Sequence, residues 1–535
     1  MLFLAGDCRK LLTSGWEVFG REALLGGAVV QERARVSVDV RPDSDWLDLR
    51  IDVRYGEQAV PVDHLIDTLL SGDRFVKLAD GRVAALPHRW AAGLAASIGL
   101  AHPTQHGFRV SKAHTELVAQ VLEEATQQTV SLNLDELQRT LTSLHEPPLA
   151  PLPMRFAADL RPYQRQGYDW MLCLQKTGYG GILADDMGLG KTVQVLCVLS
   201  KIHEEAQTPS LVVVPTSLVH NWVAEAKNFA PHLQIYVHHG QTRTEAKWSD
   251  HDIVITTYNT MRNDIDSFAR REWESAILDE SQHIKNASSQ ASLASRRVRA
   301  RFRLAMTGTP VENSSMELWS QMAFANPGLL GPADTFSSTY ARRIDERLDA
   351  ERLAALRRIC QPFILRRTKQ SVASDLPEKQ IAILRCDMTE QQDALYKGMH
   401  QRVREEVTEL LEGQDGGKAQ MHVLRGLLRL RQLANHPSLV LDSYLGRSGK
   451  MDTLTEKLVE AVGEGHKALV FSTFLGLLDM LGEQLSSEGI GFVRLDGSTD
   501  DRQSLVDQFQ EDEDTKVFLI SLKAGGVGLT LTAAD

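Results

Sequence analysis

The stretch Ile182 to Thr192, ILADDMGLGKT, runs from a short apolar strand entry into a glycine-punctuated loop that ends in Gly-Lys-Thr. Gly188 and Gly190 let the backbone turn tightly, so that successive N–H groups and the N-terminus of the following helix point at one anion. The β-phosphate of a nucleotide requires that arrangement. Lys191 would then reach the β- and γ-phosphates and the Thr192 hydroxyl would ligate Mg2+. Asp186, Met187 and Leu189 complete the loop. Asp185 stands where the pattern G-x-x-x-x-G-K-[ST] has its first glycine, so the loop gains its weight from what surrounds it.

A chain of 535 residues is too long for one core and should hold about three domains. With 43% hydrophobic and 24% charged residues it reads as a soluble globular protein. Cys8, Cys173, Cys197, Cys360 and Cys386 are scattered, with no C-x-x-C pair and no secretory leader. They read as buried thiols of a reducing cytoplasm, and no zinc is expected. The start, MLFLAGDCRK, lacks a basic region before its apolar run, and the longest low-charge stretch, Ala91 to Ala101, is too short for a bilayer, so no membrane segment is expected.

The formal net charge of −11 argues against coating nucleic acid by bulk electrostatics. It leaves room for a local basic groove. Arginines cluster at Arg296, Arg297, Arg299, Arg301 and Arg303, at Arg357, Arg358, Arg366, Arg367 and Lys369, and from Arg425 to Arg431. Any one such cluster by itself reads as a solvated helix face.

Residues 1–145 read as a separate α+β accessory domain. Val36, Val38 and Val40 alternate with polar residues, as do Leu47, Leu49, Ile51, Val53 and Tyr55, the period of half-buried antiparallel strands. Phe75 to Leu86 has Asp80-Gly81 between two β-prone runs and predicts a hairpin. Helices are expected at about 113–127 and 133–144. No histidine there has a carboxylate or cysteine at ligand spacing. EPPLAPLP, 146–153, reads as a stiff proline-rich linker.

Downstream, Leu211 to Pro215, Ile253 to Thr257, Ala276 to Asp279 and Arg303 to Met306 are candidate strands alternating with helices, the layout of a parallel sheet covered on both faces. Their loops should converge on one crevice at the carboxyl ends. Gln164, in LRPYQRQGYDWM, has the donor and acceptor to read an adenine edge, and Pro162 also fits a helix first turn. In ILDESQHIKN, Asp279 would hold Mg2+ through a water, and Glu280 would orient or deprotonate the water that attacks the γ-phosphate. His283 ranks below Glu280 for that role. Thr307 and Thr309 of MTGTP can hydrogen-bond the acidic loop on one side and nucleic acid on the other, a coupling element.

The ordered set LRPYQ, DDMGLGKT, VVVPTSLVHNW, ITTYNTM, DESQHIKN and MTGTPVENSSMELWS resembles the first lobe of superfamily 2 helicase-like ATPases, specifically the SWI/SNF-type family in its bacterial form. MELWSQMAFANPGLLG and PFILRRTKQSVASDLPEK are similar to stretches of that family rather than of helicases at large. Asp186 departs from the usual DEMGLGKT, and DESQ from DEAH, DEGH or DEAQ. The resemblance, over about 154–535, implies an α/β fold of two RecA-like P-loop lobes, the second incomplete, with helical protrusions, preceded by the accessory domain. It places lobe 1 with its protrusion at 154–380, a helical protrusion and linker at 381–447 broken by a flexible tip GQDGGK, and lobe 2 at 448–535. It implies ATP and Mg2+ as ligands and a cytoplasmic, nucleoid-associated protein. Thr257, Gln282, Thr307, Thr309, Ser472, Lys523, Gly525 and Gly526 would serve DNA contact or coupling, with some arginines of the protrusions facing phosphate.

In the second lobe, KALVFSTF reads as a strand ending in Ser472, VRLDGSTDDRQSLVDQF as a loop and helix, and Gly525, Gly526 and Gly528 as points of close backbone approach to phosphate, with polar contacts from Ser521, Lys523 and Thr530. The family's arginines that reach across to the γ-phosphate, worth roughly 10³–10⁵ in rate in related nucleotide hydrolases, match no segment, and further sheet strands are missing too. A fragment of a longer protein is expected, with a bare sheet edge. The function implied is a DNA-dependent ATPase that tracks along double-stranded DNA and displaces bound proteins. The alternatives are a nucleotide-gated module that binds DNA or a DNA-bound protein such as RNA polymerase without turnover, and a strand-separating helicase.

Overall fold

The computed structural model describes residues 30, 32, 34–43, 46–71, 73, 75–87, 99–123, 125–131, 133–309, 314–372, 381–412, 416–499, 501–525 and 531–534. The chain forms two compact units, Met1–Leu376 and Pro377–Asp535.

The first unit opens with a sheet in the order β6-β7-β2-β1-β8, with β3 on β2. Its strands are β1 (Arg35–Asp43), β2 (Trp46–Tyr55), β3 (Gln58–Ala59), β6 (His102–Thr104), β7 (Gly107–Ser111) and β8 (Gln127–Val130). A separate hairpin joins β4 (Phe75–Lys77) and β5 (Val83–Ala85) around Gly81, as its Asp-Gly turn predicts. Antiparallel pairing sets Val36 opposite Val53, Val38 opposite Ile51 and Val40 opposite Leu49, so the alternating apolar residues share one face and are buried. The expected helix at 113–127 is shorter, Thr115–Glu123, and the chain then returns as β8, parallel to β1. All four residues of β8 are exposed, so backbone hydrogen bonding rather than side-chain burial makes it a strand.

The proline-rich run lies pinned along the helix Pro162–Thr177. The Ala150 N–H donates to Asp169 Oδ1 at 2.9 Å, the Ala150 carbonyl accepts from Arg165, and the Tyr168 hydroxyl donates to the Pro151 carbonyl at 2.6 Å. The accessory residues also seat on the turn after the helix Ser315–Ala325. His114 Nε2 meets the Leu329 carbonyl at 2.7 Å, and the Trp46 indole fills the space where a Cβ on Gly328 would stand. Gly328, at φ +82°, has both the backbone and the missing side chain that this contact needs.

The second sheet has the order β11-β12-β10-β13-β14-β9-β15 and is parallel throughout. The strands are β9 (Gly181–Leu183), β10 (Ser210–Val214), β11 (Ile235–His238), β12 (Ile253–Thr257), β13 (Glu272–Leu278), β14 (Arg299–Met306) and β15 (Ile364–Leu365). The four candidate strands read from apolar runs are all present, and β11 and β15 join them at the edges. Leu211 to Val214 are fully buried because helices cover both faces, and each such side chain contributes about 1.5–3 kcal/mol by leaving water.

The second unit begins with the helices Glu390–Glu412 and Gly416–Asn435, the latter starting inside the run read as a flexible tip. A parallel sheet follows in the order β16-β18-β17, with β16 (Ala468–Ser472), β17 (Gly491–Leu495) and β18 (Thr515–Ser521). Val493 to Leu495, the start of the run read as a loop and helix, thus close the strand Gly491–Leu495. That strand pairs with β18, which sits between two apolar cores. Val517 and Leu519 face Leu478, Leu481 and Leu485, while Phe518 and Ile520 face Val506 and Phe509. The period of two along β18 therefore buries both faces.

Candidate active site

Strands β9, β14 and β13 are neighbours and parallel, so the three loops that leave their carboxyl ends lie side by side. These are the phosphate loop, Met306 to Thr309, and Asp279-Glu280. Leu183 pairs with Met306 and Leu278 with Ala305, and the Thr307 N–H donates to the Leu183 carbonyl at 3.1 Å. Gly188 and Gly190 take φ values of +84° and +73°, and the helix Lys191–Ile202 starts directly after them. A Cβ on Gly190 would stand 2.5 Å from Gln164 Nε2.

Lys191 Nζ donates to the Asp185 carbonyl at 2.8 Å. Burial lowers the pKa of its ammonium, against the pull of Glu280, Asp279, Asp185 and Asp186. A polyphosphate would add to that pull. Thr192 is the second residue of the helix and is half-buried.

Asp279 is buried, and burial pushes its carboxyl pKa up to about 6, with the Glu280 charge adding to the rise. Trp222 Nε1 donates to its Oδ2 at 2.8 Å and the Glu280 N–H to its Oδ1 at 2.9 Å, which hold it partway down. A buried carboxylate and a phosphate-loop hydroxyl are oxygen donors of the hard kind that Mg2+ takes. Thr192 and Asp279 fit that role.

Glu280 has φ +48° and ψ +54°, and with Leu348 is one of two described non-glycine residues in the left-handed region. Such a conformation costs about 1–3 kcal/mol and persists where surroundings impose it. Gln282 Nε2 donates to Glu280 Oε2 at 2.8 Å, the Thr307 hydroxyl donates to Gln282 Oε1 at 3.2 Å, and the Thr309 N–H donates to that hydroxyl at 3.1 Å. The chain of bonds runs from a buried carboxylate to an exposed loop. His283 stacks on Tyr258 with ring centroids 4.9 Å apart, and the Tyr258 hydroxyl donates to the Asp279 carbonyl at 2.7 Å, so this pair packs the acidic loop from behind.

The Gln164 amide is partly engaged: its Oε1 accepts the Arg161 N–H at 3.0 Å and its Nε2 donates to the Leu189 carbonyl at 3.2 Å. One lone pair and one N–H remain for an adenine edge. Thr257 is buried and its hydroxyl caps the helix Tyr258–Asn263 through the Thr260 N–H at 3.2 Å, which leaves it a positioning role rather than a surface contact. Met187 is exposed beside Gly308, linking the phosphate loop to the Thr307 loop. In the second unit Ser472 and Ser521 end paired strands, the Leu522 N–H donates to the Ser472 carbonyl at 2.9 Å, the Gly525 N–H donates to the Ser521 carbonyl at 2.8 Å, and Lys523 is exposed. Gly526, Gly528 and Thr530 lie outside the described residues.

Several residues of the arginine clusters are engaged within the fold. Arg296 donates to the Ala287 carbonyl at 2.8 Å and lies over the Trp319 ring, Arg297 pairs with Asp266, and Arg301 pairs with Glu274, so much of this cluster is committed within the fold. Arg367 does not face solvent phosphate. It is 8% exposed and paired with fully buried Asp185. That partnership was missed, and its signal was the acid standing in place of a glycine at the end of an apolar strand, where a buried carboxylate calls for a cation or hydrogen-bond donors.

Residues 163–439 match the family model of the SNF2-related domain, and 449–535 that of the helicase conserved C-terminal domain. The chain belongs to the SNF2-related family. The parallel sheets of the two units are those expected of this family's two RecA-like lobes. Among SNF2 relatives, YwqA of Bacillus subtilis, which carries the name of an ATP-dependent helicase/translocase, is 34% identical over 423 residues, covering 76% of this chain and 45% of its own. The TATA-binding protein-associated factor mot1 of Schizosaccharomyces pombe is 32% identical over 72% of this chain and 24% of its own. The SWI2/SNF2 ATPase core of Sulfolobus solfataricus, solved with double-stranded DNA, is 36% identical over 72% of this chain and 83% of its own, with a TM-score of 0.43. The chain spans less than half the length of these two curated relatives.

Proposed function

We propose that this SNF2-family chain is the motor region of an ATPase that moves along duplex DNA and displaces proteins bound to it. The observation that supports it best is the bond chain from Glu280 through Gln282 and Thr307 to exposed Thr309. It joins the side chain suited to take a proton from the attacking water to a loop open to nucleic acid. Gly188 to Thr192 would cradle the phosphates, with Lys191 offsetting their charge. Thr192 and Asp279 would hold Mg2+, which supplies further charge neutralisation on the phosphates. Gln164 would read the adenine edge. Residues 1–145 would form the accessory domain, 146–153 its linker, 154–380 the first lobe, 381–447 the helical protrusion and 448–535 the second lobe.

DNA would be held mainly through its backbone, so binding should be independent of sequence and weaken as salt rises. The mot1 relative is named for association with a DNA-binding protein, a precedent for the kind of protein displaced. The test is ATP hydrolysis with and without linear duplex DNA, with Lys191→Ala as the blank. DNA-stimulated turnover supports the motor. ATP binding with no turnover points to a nucleotide-gated binding module. Opening of a forked duplex would replace translocation by strand separation.

A further inference from the structure

The segment Ile364 to Lys369 runs alongside the phosphate loop. Ile364 and Leu365 pair in parallel with Ile182 and Leu183. Beyond the strand the ladder continues: the Ala184 N–H donates to the Leu365 carbonyl at 2.7 Å, the Asp186 N–H to the Arg367 carbonyl at 3.0 Å, and the Lys369 N–H to Asp186 Oδ2 at 3.0 Å. This register brings the Lys369 side chain over the loop. A Cβ on Gly188 would stand 3.4 Å from both its Cε and its Nζ.

The other two cations here are Arg367 and Lys191. Arg367 is held on Asp185, and Lys191 donates to the Asp185 carbonyl beneath the acidic loop. Lys369 is exposed, and its ammonium pairs with no carboxylate among the described residues. Asp185, Asp186, Asp279 and Glu280 surround Lys191, four carboxylates against the two cations Lys191 and Arg367. A polyphosphate entering there would add negative charge to a region already short of positive charge.

We propose that Lys369 is a further substrate-contacting residue, a second ammonium that binds the polyphosphate of a nucleoside di- or triphosphate across Gly188. This rests on the nucleotide site proposed above and deepens it. The charge-assisted contact would come from a segment nearly 180 residues downstream of the loop it serves, so loop and segment must be docked for full affinity.

The test uses the full chain and titrates ATP, ADP and AMP against Lys369→Ala, Lys369→Arg and Lys191→Ala, with melting temperature as a check on folding. Lys369→Ala should weaken ATP and ADP binding by about tenfold, leave AMP within about twofold, and be largely rescued by arginine. Equal loss for AMP would mean the loop has merely loosened, which overturns the proposal. If Lys191→Ala loses ATP binding while Lys369→Ala does not, Lys369 is excluded and the nucleotide site stands. If neither variant changes ATP binding, the site itself is wrong.

Discussion

Arg367 closes on Asp185 through paired contacts, Nε to Oδ1 at 2.9 Å and Nη2 to Oδ2. Nη2 also donates to Gln194 Oε1 at 2.8 Å, Nη1 donates to the Tyr163 carbonyl, and the guanidinium lies 5.4 Å from the Tyr163 ring centroid. One side chain thus ties the phosphate loop to the helices on either side of it. Arg367→Met would strand a buried carboxylate and should cost about 3–5 kcal/mol. The double variant Arg367→Met with Asp185→Leu should cost much less than the sum of the single changes, because no charge is then left unpaired. Chemical denaturation of the four proteins of that cycle measures the coupling.

Glu280→Gln keeps the shape of the side chain and removes the base. ATP binding should persist within a few-fold, while hydrolysis falls by about 10² or more. Single-turnover kinetics beside nucleotide titration separate the two effects. Hydrolysis at the wild-type rate would remove Glu280 from the role.

His114 is fully buried against the Leu329 carbonyl, and burial pushes its pKa down to about 4. The unfolded chain, with an ordinary histidine pKa near 6.5, binds the proton more readily than the folded one. The stability linked to this group is therefore full above pH 6.5 and is lost as pH falls from 6.5 towards 4, up to about 3 kcal/mol. A His114→Gln variant should show a flatter decline over that window. Melting temperatures from pH 4 to 8 for both proteins provide the comparison.

Leu348 ends the helix Arg342–Arg347 at φ +53° and is 85% exposed. Its N–H donates to the Ile344 carbonyl at 3.2 Å and the Asp349 N–H to the Arg343 carbonyl at 3.2 Å, a left-handed cap of the kind glycine favours. Little packing is lost on removing an exposed leucine. Leu348→Gly should raise stability by about 1 kcal/mol, measured by denaturant midpoint.

The parts of the fold that were legible in the sequence are those whose signal is local. LVVV and IVITT are apolar runs ending in polar loops, and they became β10 and β12. The phosphate loop and Asp279-Glu280 were readable because each closes such a run. Gln127–Val130 was not, since an exposed polar strand is defined only by a backbone partner some ninety residues away. Ile364–Leu365 is a strand by virtue of β9 alone. Arg367 counted as one basic residue among several until its partner, 182 residues distant, was in view. The link from Gln282 to Thr307 likewise depends on β13 and β14 being neighbours, and that sheet order lies beyond any window of sequence.

The turn that receives Trp46 at Gly328 and His114 at Leu329 makes the accessory residues a passenger of the parallel sheet that carries the phosphate loop. Such a seat transmits displacement without slack. In a motor of the kind proposed, whatever those residues grip would be carried the full stroke of that sheet, and a bulky side chain at position 328 would unseat the rider while leaving the engine intact.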